Sequence, residues 1–255
     1  MRADVRTGAL LALAVTASAC NAVLGPTPRD QNWHVIETSR YSLHVRPNSF
    51  AEQNAARIGD VLEDQYDVSL RILGASYTGH ITALLYASGA EANLPSDRSG
   101  TAFPATGAFE AGCTAPMDDD LMALLAHEAN HVILQNALGS PGTYMLNEGL
   151  ASAVLSEKYH WRGRGFYYRW IRDHRAQMVP IAQLADDRQW PTVDEHVAYS
   201  ASASFLAYLL DTQGAAKMKD LYLVRSSEFE RRFQEIYGRS VAAVEADWLE
   251  FCNWQ

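Results

Sequence analysis

The chain has 255 residues, 21 of them basic and 30 acidic, and a formal net charge of −9. That acidity speaks against nucleic acid as a partner, because phosphate binding needs clustered Lys and Arg. Hydrophobic residues make up 48% and only three are cysteines, so a packed core rather than a disulfide framework must carry the fold.

Residues 1–19 carry the marks of an export signal. Arg2 and Arg6 are followed by an apolar run from 9 to 15, then by Ala17-Ser18-Ala19 as a small-residue cleavage site. The run is too short for a permanent membrane span. Cys20 comes next, and ASA-Cys resembles a bacterial lipobox, with Ala17 where a larger aliphatic residue is usual. Plain secretion by cleavage at Ala-x-Ala is the rival expectation. Both routes export the protein, and lipidation of Cys20 would tether it to a membrane. Residues 20–30, with two prolines and a glycine, read as a linker. Residues 31–255 read as one domain, α/β up to 115 and mostly helical from 116.

Within that domain, residues 33–36 and 41–45 alternate apolar with polar and predict a strand pair. His34 and His44 fall on half-exposed positions of those strands and are not taken as ligands. Residues 48–73 have the period of a long amphipathic helix stopped by Gly74. Residues 80–86 are a strand. Residues 88–115, rich in Gly, Ala, Ser and Pro, read as a loop leading into a strand near 108–114.

Residues 118–139 contain His127-Glu128-Ala129-Asn130-His131. Asp118, Asp119 and Asp120 cap a helix and suit the positive end of its dipole, a broad apolar face follows, and Gly139 offers a stop. On that helix His127 and His131, four apart, project from one face and can grip one ion. Imidazole suits zinc, and Glu128 beside the ion is free to take a proton from a water that the ion activates. A surface helix with two spare histidines is the bland alternative. These histidines, however, are set among Leu and Ala, where an unpaired polar group is costly.

A turn at 139–142 precedes a second helix, predicted over 144–159, which carries Asn147-Glu148-Gly149-Leu150-Ala151. The stretch from His131 to Glu148 suffices for an antiparallel return. Glu148 can then complete two nitrogens and one carboxylate, leaving a fourth position open. The competing reading is an ordinary exposed Glu near a helix start. A metzincin site is excluded, because Leu134 and Ala137 stand where it needs Gly and His.

HEANH followed by NEGLA resembles the gluzincin branch of zinc metallopeptidases, the thermolysin-like peptidases of clan MA, and within it a small bacterial group with a later E-G-x-A. The likeness extends over roughly residues 31–255, taking in a core helix that contains Tyr199 and a C-terminal helix pair from Phe233 through Trp248. It implies an α+β, thermolysin-like fold: a small N-terminal β-sheet lobe and a mostly helical C-terminal lobe, with the active-site helix between them. It further implies one zinc on His127, His131 and Glu148, with Glu128 as the catalytic carboxylate. In such peptidases an edge strand just before the metal helix binds extended substrate, a role that would fall to 108–114. They also use a Tyr or His to stabilise the oxyanion. Tyr199 and His196 are the candidates, with Tyr144 behind them; a Tyr199 packed in the core is the alternative.

Residues 158–175 are basic and aromatic. They could meet membrane phosphates or an acidic substrate, or pack their rings and pair their arginines with acids. His160 and His174 in this stretch are not expected to be ligands. Cys113 and Cys252 could pair in an exported protein or be two separate buried thiols. No phosphate loop, dinucleotide fingerprint or Gly-x-Ser-x-Gly elbow occurs. The expected function is zinc-dependent hydrolysis of peptide bonds in a peptide or protein substrate. The alternatives are a non-enzymatic lipoprotein that binds a peptide or protein, and a zinc amide hydrolase acting on cell-wall material.

Overall fold

Alternating residues begin the fold. β1 (His34–Glu37) and β2 (Tyr41–Val45) form the expected antiparallel hairpin, with Ile36 opposite Leu43. Tyr41, Leu43 and Val45 are buried, while Ser42 and His44 stay half-buried and His34 is exposed. The structure, a computed structural model, describes residues 32–159 and 162–255; the export signal, Cys20, the linker up to residue 30 and His160 lie outside them.

The single helix expected over 48–73 is two. α1 (Phe50–Gln53) and α2 (Ala55–Leu73) meet at Asn54. There the Asn54 side-chain amide donates to the Phe50 carbonyl at 2.8 Å, a local bond that competes with the backbone ladder. α2 buries Ile58, Val61, Leu62, Tyr66 and Leu73.

β3 (Ile81–Tyr86) runs parallel to β2 and is almost wholly buried, as the centre of a sheet must be. α3 (Gly89–Ala92), β4 (Gly100–Phe103) and β5 (Ala108–Gly112) follow. The sheet order is β1-β2-β3-β5-β4. This corrects the expected edge strand. β5 is paired on both sides, parallel to β3 and antiparallel to β4, and the edge belongs to β4, which the sequence reads as loop. A four-residue strand among Gly, Thr and Ala is too short to show alternation.

The rest is helical: α4 (Asp119–Leu138), α5 (Tyr144–Ala153), α6 (Arg164–Asp173), α7 (Ile181–Leu184), α8 (Glu195–Gln213), α9 (Ala215–Tyr222), α10 (Phe229–Tyr237) and α11 (Val241–Asn253). α5 ends six residues before the expected 159. Gln65 captures its exit: the Gln65 amide donates to the Val154 carbonyl at 2.9 Å, and the Ser156 N–H donates to Gln65 Oε1 at 2.9 Å. In α6 the rings of Tyr167, Tyr168 and Trp170 are buried. Arg162 pairs with Asp120 and Arg164 with Asp211, so this basic stretch packs and pairs with acids.

Two cores result. One lies between the sheet and α2 with α4, through residues such as Phe109, Leu121, Leu125 and Ile133. The other gathers α5, α6 and α8 to α11 around Phe205, Leu206, Phe233 and Trp248. Cys113 belongs to the first and Cys252 to the second, and both are free. No helix among the described residues is long and apolar enough to cross a membrane. The fold is mixed α+β, mostly helical with one small five-stranded sheet.

Candidate metal centre

α4 starts where the sequence says. Asp118 accepts from the Leu121 N–H at 3.0 Å and also holds Arg98 at 2.7 Å. From Leu121 to Leu134 every residue is buried, so α4 is a central helix, apolar all round rather than on one face. The polar residues in that run therefore need partners.

His127 and His131 find them in each other and in Glu148. His127 Nε2 and His131 Nε2 are 3.0 Å apart, with their rings at 89°. Glu148 Oε2 lies 3.2 Å from the first nitrogen and 3.3 Å from the second. All three residues are at least nine-tenths buried. Among the described residues this is the group of His, Cys, Asp and Glu that converges closely enough to hold one ion.

The outer ring atoms decide which nitrogens carry hydrogen. Asn147 Nδ2 donates to Glu148 Oε1 at 2.9 Å, which leaves Asn147 Oδ1 as an acceptor, facing His131 Nδ1 at 3.2 Å. Gln135 Nε2 donates to the same oxygen at 3.2 Å. His131 must therefore carry its hydrogen on Nδ1, and in its neutral form Nε2 is a bare lone pair. His127 Nδ1 faces Ser152 Oγ at 3.1 Å, so Nε2 is again the inward atom. Lone pairs of two imidazoles and a carboxylate repel one another unless a cation sits among them. Neighbouring ligands in a tetrahedral zinc site with bonds of about 2.0–2.1 Å stand roughly 3.3 Å apart, close to the observed spacing. The donor set fits zinc. Asn147 and Ser152, which orient it, escape sequence reasoning; the polar neighbours of NEGLA were the available signal.

The charges respond to this crowding. Burial alone would lower the His131 pKa, but the Glu148 carboxylate outweighs it and pushes it up to about 9. Burial and the neighbouring His131 hold His127 below its ordinary value. Glu148 falls well below the usual carboxylate range, because the two imidazoles overcome its desolvation. Glu128 goes the other way: burial raises it to about 8, and its Oε1 is buried without a hydrogen-bond partner. Gly100 of the edge strand explains how this carboxylate fits, since a Cβ there would sit 2.6 Å from Glu128 Cγ. The edge strand thus passes directly against Glu128.

Of the oxyanion candidates, Tyr199 is at the centre. Its ring lies 6.3 Å from that of His127, and the Glu148 and Glu128 carboxylates are near enough to act on its hydroxyl. Burial and the nearby carboxylates raise its pKa far above the phenol value, so it stays a donor. His196 shares with His127 and Tyr199 a cavity of about 50 Å³, also walled by Ser152, Arg162 and Tyr167. Tyr144 is 39% exposed, at the mouth of α5. His34, His44 and His174 stand apart from the cluster.

What brings α5 onto α4 is a buried polar clamp. Asn130, inside HEANH, donates to the Ala151 carbonyl at 2.6 Å and accepts from Ser69 at 2.6 Å and Gln65 at 3.0 Å. On the far side Gly149 lets α5 close on α8, since a Cβ there would meet Ser202 Cβ at 2.7 Å.

By sequence the chain matches no known protein family and no curated protein. Among solved structures it is similar to native yeast LTA4 hydrolase, with a TM-score of 0.52 and 12% identity. The match covers 84% of this chain and 38% of that one. The chain spans well under half the length of that neighbour, and the likeness is one of fold.

Proposed function

We propose that the chain is a zinc-dependent peptidase of gluzincin type. The observation that carries this is the convergence of His127 Nε2, His131 Nε2 and Glu148 Oε2, with the buried and unpartnered Oε1 of Glu128 on the same helix. The hydrolase named among its structural neighbours agrees with the reading, as do HEANH and NEGLA. The same reading makes the sheet and the helices the two lobes of a thermolysin-like fold. His127, His131 and Glu148 would hold the zinc, which when bound supplies a Lewis acid and lowers the pKa of a water. Glu128 would take up a proton from that water; burial, by favouring its neutral form, strengthens it as a base. The same carboxyl then gives that proton to the leaving amine. Tyr199 donates from its hydroxyl to the developing oxyanion, with His196 as the second candidate. The backbone of β4, which lies on the sheet edge beside Glu128, would pair with an extended substrate. The export signal read in residues 1–19 would put this activity outside the cytoplasm, with Cys20 as its lipid anchor.

The test compares zinc content and cleavage of an unfolded protein for the mature chain and for Glu128→Gln. One zinc in each, with turnover lowered about 10²–10⁴-fold in the variant, is expected. Comparable cleavage by Glu128→Gln would sink the mechanism. Zinc without any cleavage would favour a binding protein on a peptidase-like scaffold.

A further inference from the structure

β4 is a weak strand on its own terms. It has four residues, begins with Gly100 and, among the described residues, pairs only with β5. Glycine weakens a strand, and an edge leaves half of its backbone unpaired. Two side chains outside the ladder hold it. Ahead of β4, Arg98 reaches from the loop to the start of α4. Its Nη1 donates to both Asp118 oxygens, at 2.7 and 2.9 Å, and its Nη2 donates to the carbonyls of Thr114, at 3.2 Å, and of Pro116. The side chain is only 11% exposed. Beyond β4, Asn136 in the last turn of α4 donates to the Pro104 carbonyl at 2.9 Å. One strap thus joins each end of β4 to the matching end of α4, and the strand follows the helix in the helix's own direction. Between the straps Gly100 lies so close to Glu128 that a Cβ there would stand 2.9 Å from Oε1. Asp118 already caps α4 by accepting the Leu121 N–H, so the cap by itself does not call for an arginine whose rigid fork also seizes two carbonyls.

We propose that Arg98 and Asn136 are positioning residues that strap β4 along α4, so that its free edge lines up an extended peptide with the Glu128 carboxylate. The inference rests on the peptidase reading and adds to it what sets the alignment of the substrate. A peptide that pairs with β4 takes its place from that backbone. Tilting so short a strand moves the whole peptide, and a misplacement of about 1 Å can cost roughly 10²-fold in rate. The straps divide the work. Arg98, nearly buried, meets Asp118, Thr114 and Pro116 and fixes the strand's entry; Asn136 makes its bond at the surface and fixes the exit.

The probes are blocked peptides of alternating Ala and Thr, one of three residues and one of nine. Binding is measured at equilibrium to the Glu128→Gln protein, with and without zinc, so that no turnover intervenes. Pairing with β4 should make the longer peptide bind at least about tenfold more tightly, a gain within reach of a few main-chain bonds. Arg98→Met and Asn136→Ala in the same background should shrink that advantage to within about threefold and speed hydrogen exchange of the amides of 100–103. Binding of the short peptide and zinc content should not change. Arg98→Lys, with a cation for Asp118 but no fork for the two carbonyls, should fall between. A merely structural Arg98 would instead lower Tm and weaken both peptides alike. That result, a length advantage that survives both substitutions, or no binding of either peptide to the parent overturns the proposal. Asn136→Ala carries the test if Arg98→Met fails to fold, because its bond is at the surface. Cleavage by the chain with Glu128 intact is scored separately. Length-selective binding that the variants lose, without any cleavage, leaves the straps standing and removes the peptidase; cleavage that ignores both substitutions does the reverse.

Discussion

Asn147 is the residue on which both halves of the candidate metal centre lean. Its amide nitrogen holds Glu148 and its oxygen fixes the His131 tautomer, so one side chain orients two candidate ligands from two helices. Asn147→Ala should lower zinc affinity about 10–100-fold with the helix content unchanged, as read by competition with a chromophoric chelator. An unaltered affinity would remove Asn147 from the site. The same crowding sets a pH dependence. Glu148 raises the His131 pKa to about 9, so below that pH a proton competes for the nitrogen that zinc would need. Zinc loading must release it, and apparent affinity should climb with pH by up to about tenfold per unit up to that value. Titrations at pH 6.5, 7.5 and 8.5 test the sign directly; a flat profile contradicts the assigned pairing.

Helices reach the centre by polar clamps as much as by apolar burial. α2, α4 and the end of α5 meet at Gln65, Ser69 and Asn130, all fully buried. Gln65 touches each of the other two side chains and both sides of the α5 exit. Replacing it leaves the Ser156 N–H and part of the Asn130 amide without partners inside the protein. Gln65→Leu should therefore cost about 2–3 kcal/mol in chemical denaturation, although Leu is the more hydrophobic residue. A neutral or stabilising result would mean that water replaces the clamp. The close approach of α5 to α8 at Gly149 and Ser202 works from the opposite side. Between them, clamp and close approach set the depth at which Glu148 meets the histidines.

At the scale of the molecule, α4, like α2 through Leu73, contributes to both cores. Its Leu121, Leu124, Leu125, Val132 and Ile133 belong to the core beneath the sheet, while Leu134 enters the helical core. An ion gripped by α4 and α5 fastens one body to the other. Zinc at 1,000 times its Kd adds about 4 kcal/mol to the folded state, which for a chain of this size is on the order of 10 °C in Tm. Calorimetry before and after chelation should show that loss, and the loss should be absent in His131→Ala. An equal chelator effect in both proteins would place the stabilising ion elsewhere.

Much of the centre was legible in the sequence because it is local. His127, Glu128 and His131 share one helix whose cap, apolar run and stop are written in twenty-odd consecutive residues, and helix geometry alone puts the two imidazoles on one face. Glu148 was within reach because a short turn leaves little choice of return path. The break at Asn54, the short edge strand β4 and the early end of α5 were not legible. The first comes from one local side-chain bond inside a sequence that keeps its helical period, and the others from a segment too short to carry a period or from a partner distant in the chain. The same holds for Gly100 against Glu128 and for Asn147 between two candidate ligands. Sequence by itself determined which atoms could bind an ion, since chemistry and helical spacing are properties of neighbours along the chain. Only the tertiary structure decided what surrounds that ion, because burial, tautomer and contact are set by residues that meet only after folding.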